Sequence, residues 1–292
     1  MLALVGPRAM RGAADSGVRH SFIAFGPNTY MVSEQGETVW GSPEHTRDGW
    51  LLPSGNILMV VTRVAGKHGG RVIEVTKAGK EVFRYEGTQQ EVNTAQPLAN
   101  GNVLLTEAGA NPRILELDRF GKTVFELKLD CQTKDGHTQS RMTRKLANGN
   151  YLVPLMTEQE VREYTPTGNV VWRAKTPNWP FTAIRLPNGN SLITGTRANA
   201  VFEFDRAGKL AWSVSNDDVS GKPYSGVCGG QRLPNGNTVA TSYRARAGDT
   251  KMIEVNRDKE VVWSYTDERP HGIHHFQILT TNGEKTPQPP LR

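Results

Sequence analysis

Long apolar runs are missing from this chain of 292 residues. Nothing approaches the roughly 20 consecutive apolar residues needed to cross a bilayer, so no membrane span is expected. The opening stretch MLALVGPRAM has five apolar residues in a row, short of the roughly 7–15 of a secretory signal core. Cysteine is scarce. Cys131 and Cys228 are the two present, with neither a CxxC pair nor a zinc-ligand spacing; two free thiols are expected, with one disulfide the alternative in an oxidising compartment. Helical periodicity is absent as well, since no segment repeats its apolar residues every 3.6 positions. There is no GxGxxG before a helix, no P-loop, no HExxH and no GxSxG; GKHGG at Gly66–Gly70 reads as a turn between outer strands. Basic residues exceed acidic ones, 35 to 29, for a net charge of +6. They are scattered without a run of five, so a nucleic-acid partner is not expected, although a mild preference for anions is. The compartment stays open: periplasmic or secreted if a signal peptide lies upstream of the first residue, otherwise cytoplasmic.

What the chain has in abundance is repetition. A turn element recurs as Leu52-Pro-Ser-Gly-Asn56, Leu98-Ala-Asn-Gly-Asn102, Leu146-Ala-Asn-Gly-Asn150, Leu186-Pro-Asn-Gly-Asn190 and Leu233-Pro-Asn-Gly-Asn237, with a worn copy at Ile278–Gly283. Its leucines, Leu279 included, are 46, 48, 40, 47 and 46 residues apart. Asn-Gly supplies the positive φ angles of tight hairpins. A second element follows each turn: an apolar strand with a glutamate (Glu74, Glu116, Glu163, Glu203, Glu254), a polar turn, and a strand bearing an aromatic residue (Phe83, Phe125, Trp172, Trp212, Trp263, and Trp40 near the N-terminus). Four alternating strands per period of about 40–45 residues describe a propeller blade. The N-terminal segments SFIAF, TYMVS and ETVWG complete the strand that begins at Phe276. The expectation is therefore an all-β, six-bladed propeller of four-stranded antiparallel blades, the last closed by strands from both termini. Residues 1–20 form an N-terminal extension, 21–283 the propeller and 284–292 a C-terminal tail. Carboxylates repeated once per blade are structural, serving turn bonding and inter-blade packing.

The G-K/N-x-V-W ending of the repeats resembles the tryptophan-docking motif of PQQ-type quinoprotein propellers. The LPNGN element with D-x-x-G-x-x-x-W, in six blades from Ser21 to about Gly283, is more similar to arylsulfotransferase-type propellers. The first resemblance would imply a PQQ site framed by adjacent cysteines, which this chain lacks, so PQQ is not expected. The second would imply a channel histidine as group acceptor with arginines around it; His137, or His271 and His275, with Arg141, are the residues available for those parts.

Function should sit where the copies diverge. Connections from the aromatic position to the next turn leucine run 12, 15, 21, 14, 21 and 16 residues. The long ones, after Phe125 and Trp212, are the candidate site builders. The connections hold His45, Arg47 and Asp48; Asn93; Asp135, His137 and Arg141; Trp179; Asp217, Asp218, Lys222, Tyr224 and Cys228; and His271, His274 and His275. In a closed ring all innermost strands enter from one face, so His45, His137, Arg141, His271 and His275 are expected around one axial opening, at positions that bury little apolar surface. Since adjacent strand residues alternate, His274 and His275 are expected to face opposite ways. Three readings stay open. The mouth binds a small, anionic ligand or a protein partner, through His45, Arg47, Asp48, Arg141, Trp179, Tyr224 and Cys228. Alternatively His137, His271 or His275 is the catalytic group of a transfer enzyme. In the third, imidazoles hold a divalent metal for hydrolysis or elimination.

Overall fold

The computed structural model describes residues 17–62 and 69–292. Residues 1–16, most of the N-terminal extension, and 63–68, with His68 and part of the Gly66–Gly70 turn, lie outside the described residues. Six antiparallel sheets form the six blades of a propeller. Their innermost strands, which ring the axis, are Thr46–Leu51, Glu91–Pro97, Arg144–Lys145, Pro180–Arg185, Val227–Arg232 and His275–Thr281, and they begin blades 1 to 6 in that order. The last of them pairs with His20–Phe25, with Phe22 opposite Ile278 and Ala24 opposite Phe276. Blade 6 is thus closed from both ends of the chain, which removes the exposed sheet edges an open ring would leave. Among the described residues the sole helical element is a 3-10 turn, Gly136–Thr138.

The repeated residues build the scaffold. At each turn the leucine N–H donates to the carbonyl of the closing asparagine, as in Leu186 to Asn190 (2.8 Å), and the glycine between them sits near φ +87°, where a side chain would be strained. The closing asparagine also donates its side-chain amide to the blade's glutamate: Asn56 to Glu74, Asn150 to Glu163, Asn190 to Glu203 and Asn237 to Glu254, at 2.7–2.8 Å. The repeated glutamates also reach forward to the base that precedes the next turn leucine. Lys145 meets Glu116 at 2.5 Å, Arg185 meets Glu163 at 2.7 Å and Arg232 meets Glu203 at 2.7 Å. The aromatic residues span the same seams, with Trp212 Nε1 donating to Arg257 O and the Arg185 guanidinium 4.6 Å over the Trp172 ring. Nearer the axis, Gln96, Gln231 and Gln277, each two residues before its turn leucine, accept from the backbone N–H of Lys145, Ile278 and Leu51 in the following blade. Between these polar staples the blades bury apolar seams, such as Trp50, Leu58 and Val60 against Val92, Ala95 and Val103.

One irregularity recurs and shapes the axis. The innermost strands of blades 1, 2, 4 and 5 shift register between Thr46 and Asp48, Val92 and Thr94, Pro180 and Ala183, and Val227 and Gly230. A bulge inserts an unpaired residue and re-aims side chains. Strict alternation therefore fails here, and consecutive residues form separate layers about the axis. Five positions before the turn leucines stand Arg47, Asn93, Arg141, Phe181, Cys228 and His274; four positions before stand Asp48, Thr94, Met142, Thr182, Gly229 and His275.

The segment 284–292 returns to the axis. Glu284–Lys285 pairs with the end of His275–Thr281, Thr286 N donates to Leu279 O, and Leu291 makes an antiparallel bridge to Arg232.

Candidate functional site

The mouth is the outer of these two layers together with the loops above it. Arg47 Nη1 donates to Asn93 Oδ1 (2.5 Å) and to Glu91 Oε2 (2.6 Å), and Asn93 Nδ2 donates onward to Ser140 O (3.0 Å). Arg141, 1% exposed, brings Nη1 to 3.5 Å from the same Glu91 oxygen, gives Nη2 to the His137 carbonyl, and lays its guanidinium 5.8 Å from the Phe181 ring centre. Its Nε has no partner. Burial, with Arg47 beside it, pulls Arg141 down to about 9, which still leaves it cationic at neutral pH. The other Glu91 oxygen is 3.0 Å from His137 Nδ1. Burial alone would raise the Glu91 carboxyl, but His137, Arg47 and Arg141 outweigh it and hold the group well below the usual carboxylate range.

His137 owes its position to the long connection after Phe125. Asp135 caps the 3-10 turn by accepting from His137 N (3.0 Å), and Gly136 N donates to Gln90 Oε1 (2.7 Å). The imidazole itself stays largely in solvent, its side chain 59% exposed. Across the mouth, His274 stacks on Tyr243 with ring centres 3.9 Å apart and lies parallel to Phe181 at 6.2 Å. Burial first, then Arg47 and Arg141, push His274 well below the ordinary histidine value, so the ring is neutral at pH 7. A bond to the Thr46 backbone engages it, while Nδ1 is buried without a partner. Pro27, His45, Thr46, Arg47, Tyr243 and His274 bound a cleft of about 280 Å³.

Of the residues singled out in the sequence, His45 and Arg47 bound this cleft, and His137 and Arg141 meet Arg47 on the Glu91 carboxylate. Asp48 and His275 lie one layer deeper, where Asp48 is paired with Arg144 (2.9 Å) and His275 Nε2 stands 3.5 Å from Arg144 Nη2. Cys228 belongs to the mouth layer but packs against Met142 and Phe181, and burial pushes its thiol up to about 12. Trp179 is half-buried beneath Arg197, whose guanidinium is 3.4 Å from the ring centre. Tyr224 is buried in an apolar cluster with Val214, Val219 and Val227. His271 is exposed, and its carbonyl accepts from Lys251 Nζ (2.7 Å). Both cysteines are free. Among the described residues no three His, Cys, Asp or Glu side chains converge as metal ligands do. Glu91 and Tyr243 were not singled out, and His274 was weighed but passed over in favour of His275. The signal for His274 was available in its offset from Leu279, which it shares with Arg47 and Arg141; Glu91 and Tyr243 carry no comparable mark.

Residues 72–245 match the profile of a family described as Mal s 1 allergenic protein-like. No curated protein matches the sequence. Among solved structures, a protein of unknown function from Bacteroides caccae superposes with a TM-score of 0.78 at 22% identity, over 88% of this chain and 98% of its own. A structure described as streptogramin B lyase gives a TM-score of 0.59 at 13% identity, over 88% and 87%. A catalytically inactive virginiamycin B lyase from Staphylococcus aureus, solved with quinupristin, gives 0.56 at 15% identity, over 77% and 71%. At these identities the likeness is one of fold.

Proposed function

The chain belongs to the Mal s 1 allergenic protein-like family, and from that premise we propose that its channel mouth binds a small anionic molecule. The observation that carries this reading is the excess of cation over anion behind the cleft. Two guanidiniums, Arg47 and Arg141, share the single carboxylate of Glu91, and Arg141 is fully enclosed with its only carboxylate contact at 3.5 Å. Buried charge without a close partner is costly, and an anion in the cleft offsets that cost. The cleft is small, with about 280 Å³ of space, which suits a compound of few heavy atoms. Tyr243 offers a ring face, and the unpartnered Nδ1 of neutral His274 takes a hydroxyl or N–H donor. A hydroxy acid or a phosphate or sulfate monoester fits this set. Titration calorimetry with inorganic phosphate, sulfate and glycolate tests the reading. Binding weakened at least tenfold by Arg47→Gln supports it; no binding of any of the three overturns it.

The His137–Glu91 pair favours a second reading, group transfer or elimination with His137 as proton acceptor or nucleophile. Glu91 orients Nδ1 at 3.0 Å and the imidazole is open to solvent, the arrangement expected of a general base. The group acceptor of arylsulfotransferase-like propellers is the corresponding chemistry, and the fold is shared with lyases. Turnover of an aryl sulfate donor that disappears in His137→Ala, with anion binding retained, would separate this reading from simple binding.

A further inference from the structure

The deeper layer of the channel carries one acid. Four residues before the turn leucines the six blades place Asp48, Thr94, Met142, Thr182, Gly229 and His275, so the scaffold does not require a carboxylate at this level. Asp48 is fully buried: Thr94 Oγ1 donates to Oδ2 (2.7 Å), Gly49 N donates to Oδ1 (2.9 Å), and Arg144 spans the carboxylate with Nη1 2.9 Å from Oδ2 and Nη2 3.2 Å from Oδ1. Against it also lies the guanidinium of Arg292, delivered by the returning segment 286–292. Arg292 Nη2 is 3.2 Å from Asp48 Oδ1; Nη1 donates to Gly49 O (2.9 Å) and Phe276 O (3.0 Å), and Nη2 also donates to Gly49 O. The guanidinium lies 4.0 Å from the Trp50 ring centre and 5.9 Å from that of Phe25. One carboxylate, two inward carbonyls and an indole face make a seat with the planar, forked donor pattern of a guanidinium. The residue before it is held as a strand would be, with Arg232 N donating to Leu291 O (2.9 Å).

We infer that the channel contains an arginine-recognition site, distinct from the mouth, and that Arg292 is its built-in occupant. The carboxylate, both carbonyls and the indole belong to the innermost strands of blades 1 and 6, so the seat persists when 286–292 moves away. The ligand it takes is then an arginine side chain on an extended peptide, whose preceding residue bridges to Arg232. The seat is reached from the side of the turn leucines, since the segment leaves Leu279 and passes Arg232 on its way to Asp48. Self-occupation keeps such a peptide out until the segment is displaced. An ammonium would carry the charge but not the two-carbonyl fork, so the site discriminates against lysine.

Chemical rescue of the full-length Arg292→Ala variant tests this, with ethylguanidine at low millimolar concentration as the probe and propylamine as the control. The substitution is expected to lower Tm, ethylguanidine to restore most of the loss, and propylamine to restore little. The wild-type chain, its seat filled, is expected not to respond. If Arg292→Ala does not fold, its refolding yield with and without ethylguanidine is the readout, and recovery only with the guanidinium supports the site. Equal effects of both probes, an equal shift in wild type, or no recovery with ethylguanidine would each overturn it.

Discussion

His137 Nδ1 stands 3.0 Å from Glu91 Oε1 while Arg47 holds the opposite oxygen of that carboxylate at 2.6 Å. A residue from the long connection into blade 3 and one from the strand entry of blade 1 thereby meet on a single acid of blade 2. The mouth is assembled by this acid, and its ionisation is the first property that can be tested.

Glu91 is held below the usual carboxylate range in the fold, so its contribution to stability is complete above the unfolded value of about 4.3 and is lost as pH falls toward the folded value. Glu91→Gln is expected to be less stable than wild type at pH 7, and the gap to be smaller at about pH 3. Denaturant melts at the two pH values check this, and a gap that widens on acidification would refute it.

His274 and His275 are both pushed well below the ordinary histidine value by burial, His274 with Arg47 and Arg141 adding to it and His275 with Arg292 and Arg144. The unfolded chain takes up protons near pH 6.5 that the fold refuses, so stability falls as pH drops below that point. Two such groups give a slope approaching about 3 kcal/mol per pH unit. His275→Gln is expected to remove about half of the loss between pH 6.5 and 5, read from urea midpoints; an unchanged slope would contradict the assignment.

Glu203 ties Asn190, Arg232 and Arg257 together at 2.5–2.8 Å. Glu203→Ala leaves Arg232, mostly buried at the seam, without its partner, and is expected to cost about 3–5 kcal/mol. Thermal denaturation reads this. A loss below about 1 kcal/mol, the level of an exposed ion pair, would mean the repeated glutamates do not join the blades.

The strand His275–Thr281 completes blade 6 by pairing along His20–Phe25. A chain ending at Pro270 loses that strand and exposes the edge of His20–Phe25. It is expected to aggregate or to melt well below the full chain, and light scattering during a thermal ramp distinguishes this from an unchanged fold.

The architecture was legible because its cues are local and repeated. Asn-Gly turns fix hairpins, the glutamate recurs at one place in each blade, and the 46-residue spacing from Leu233 to Leu279 reveals the shared blade. The site was legible in part. His45, Arg47, His137 and Arg141 were readable as residues of strand entries. Of the two adjacent histidines, His274 lies with Arg47 and Arg141 at the mouth and His275 one layer deeper beside Asp48 and Arg144, an order that strand alternation alone did not decide. Arg141 was expected at the axial opening, at a position that buries little apolar surface, yet it is 1% exposed, with Phe181 and Glu91, remote in sequence, against it. The segment 284–292 carries no pattern that announces its return to the axis, since its seat is built from Asp48 and Gly49 of blade 1 and Phe276 of blade 6.

Anomalous diffraction from crystals soaked in selenate, a tetrahedral oxyanion visible by its selenium, addresses the mouth most directly. Anion binding predicts a selenium peak in the cleft bounded by His45, Arg47, Tyr243 and His274, and its loss in Arg47→Gln crystals. Full occupancy at surface lysines with an empty cleft would contradict the account.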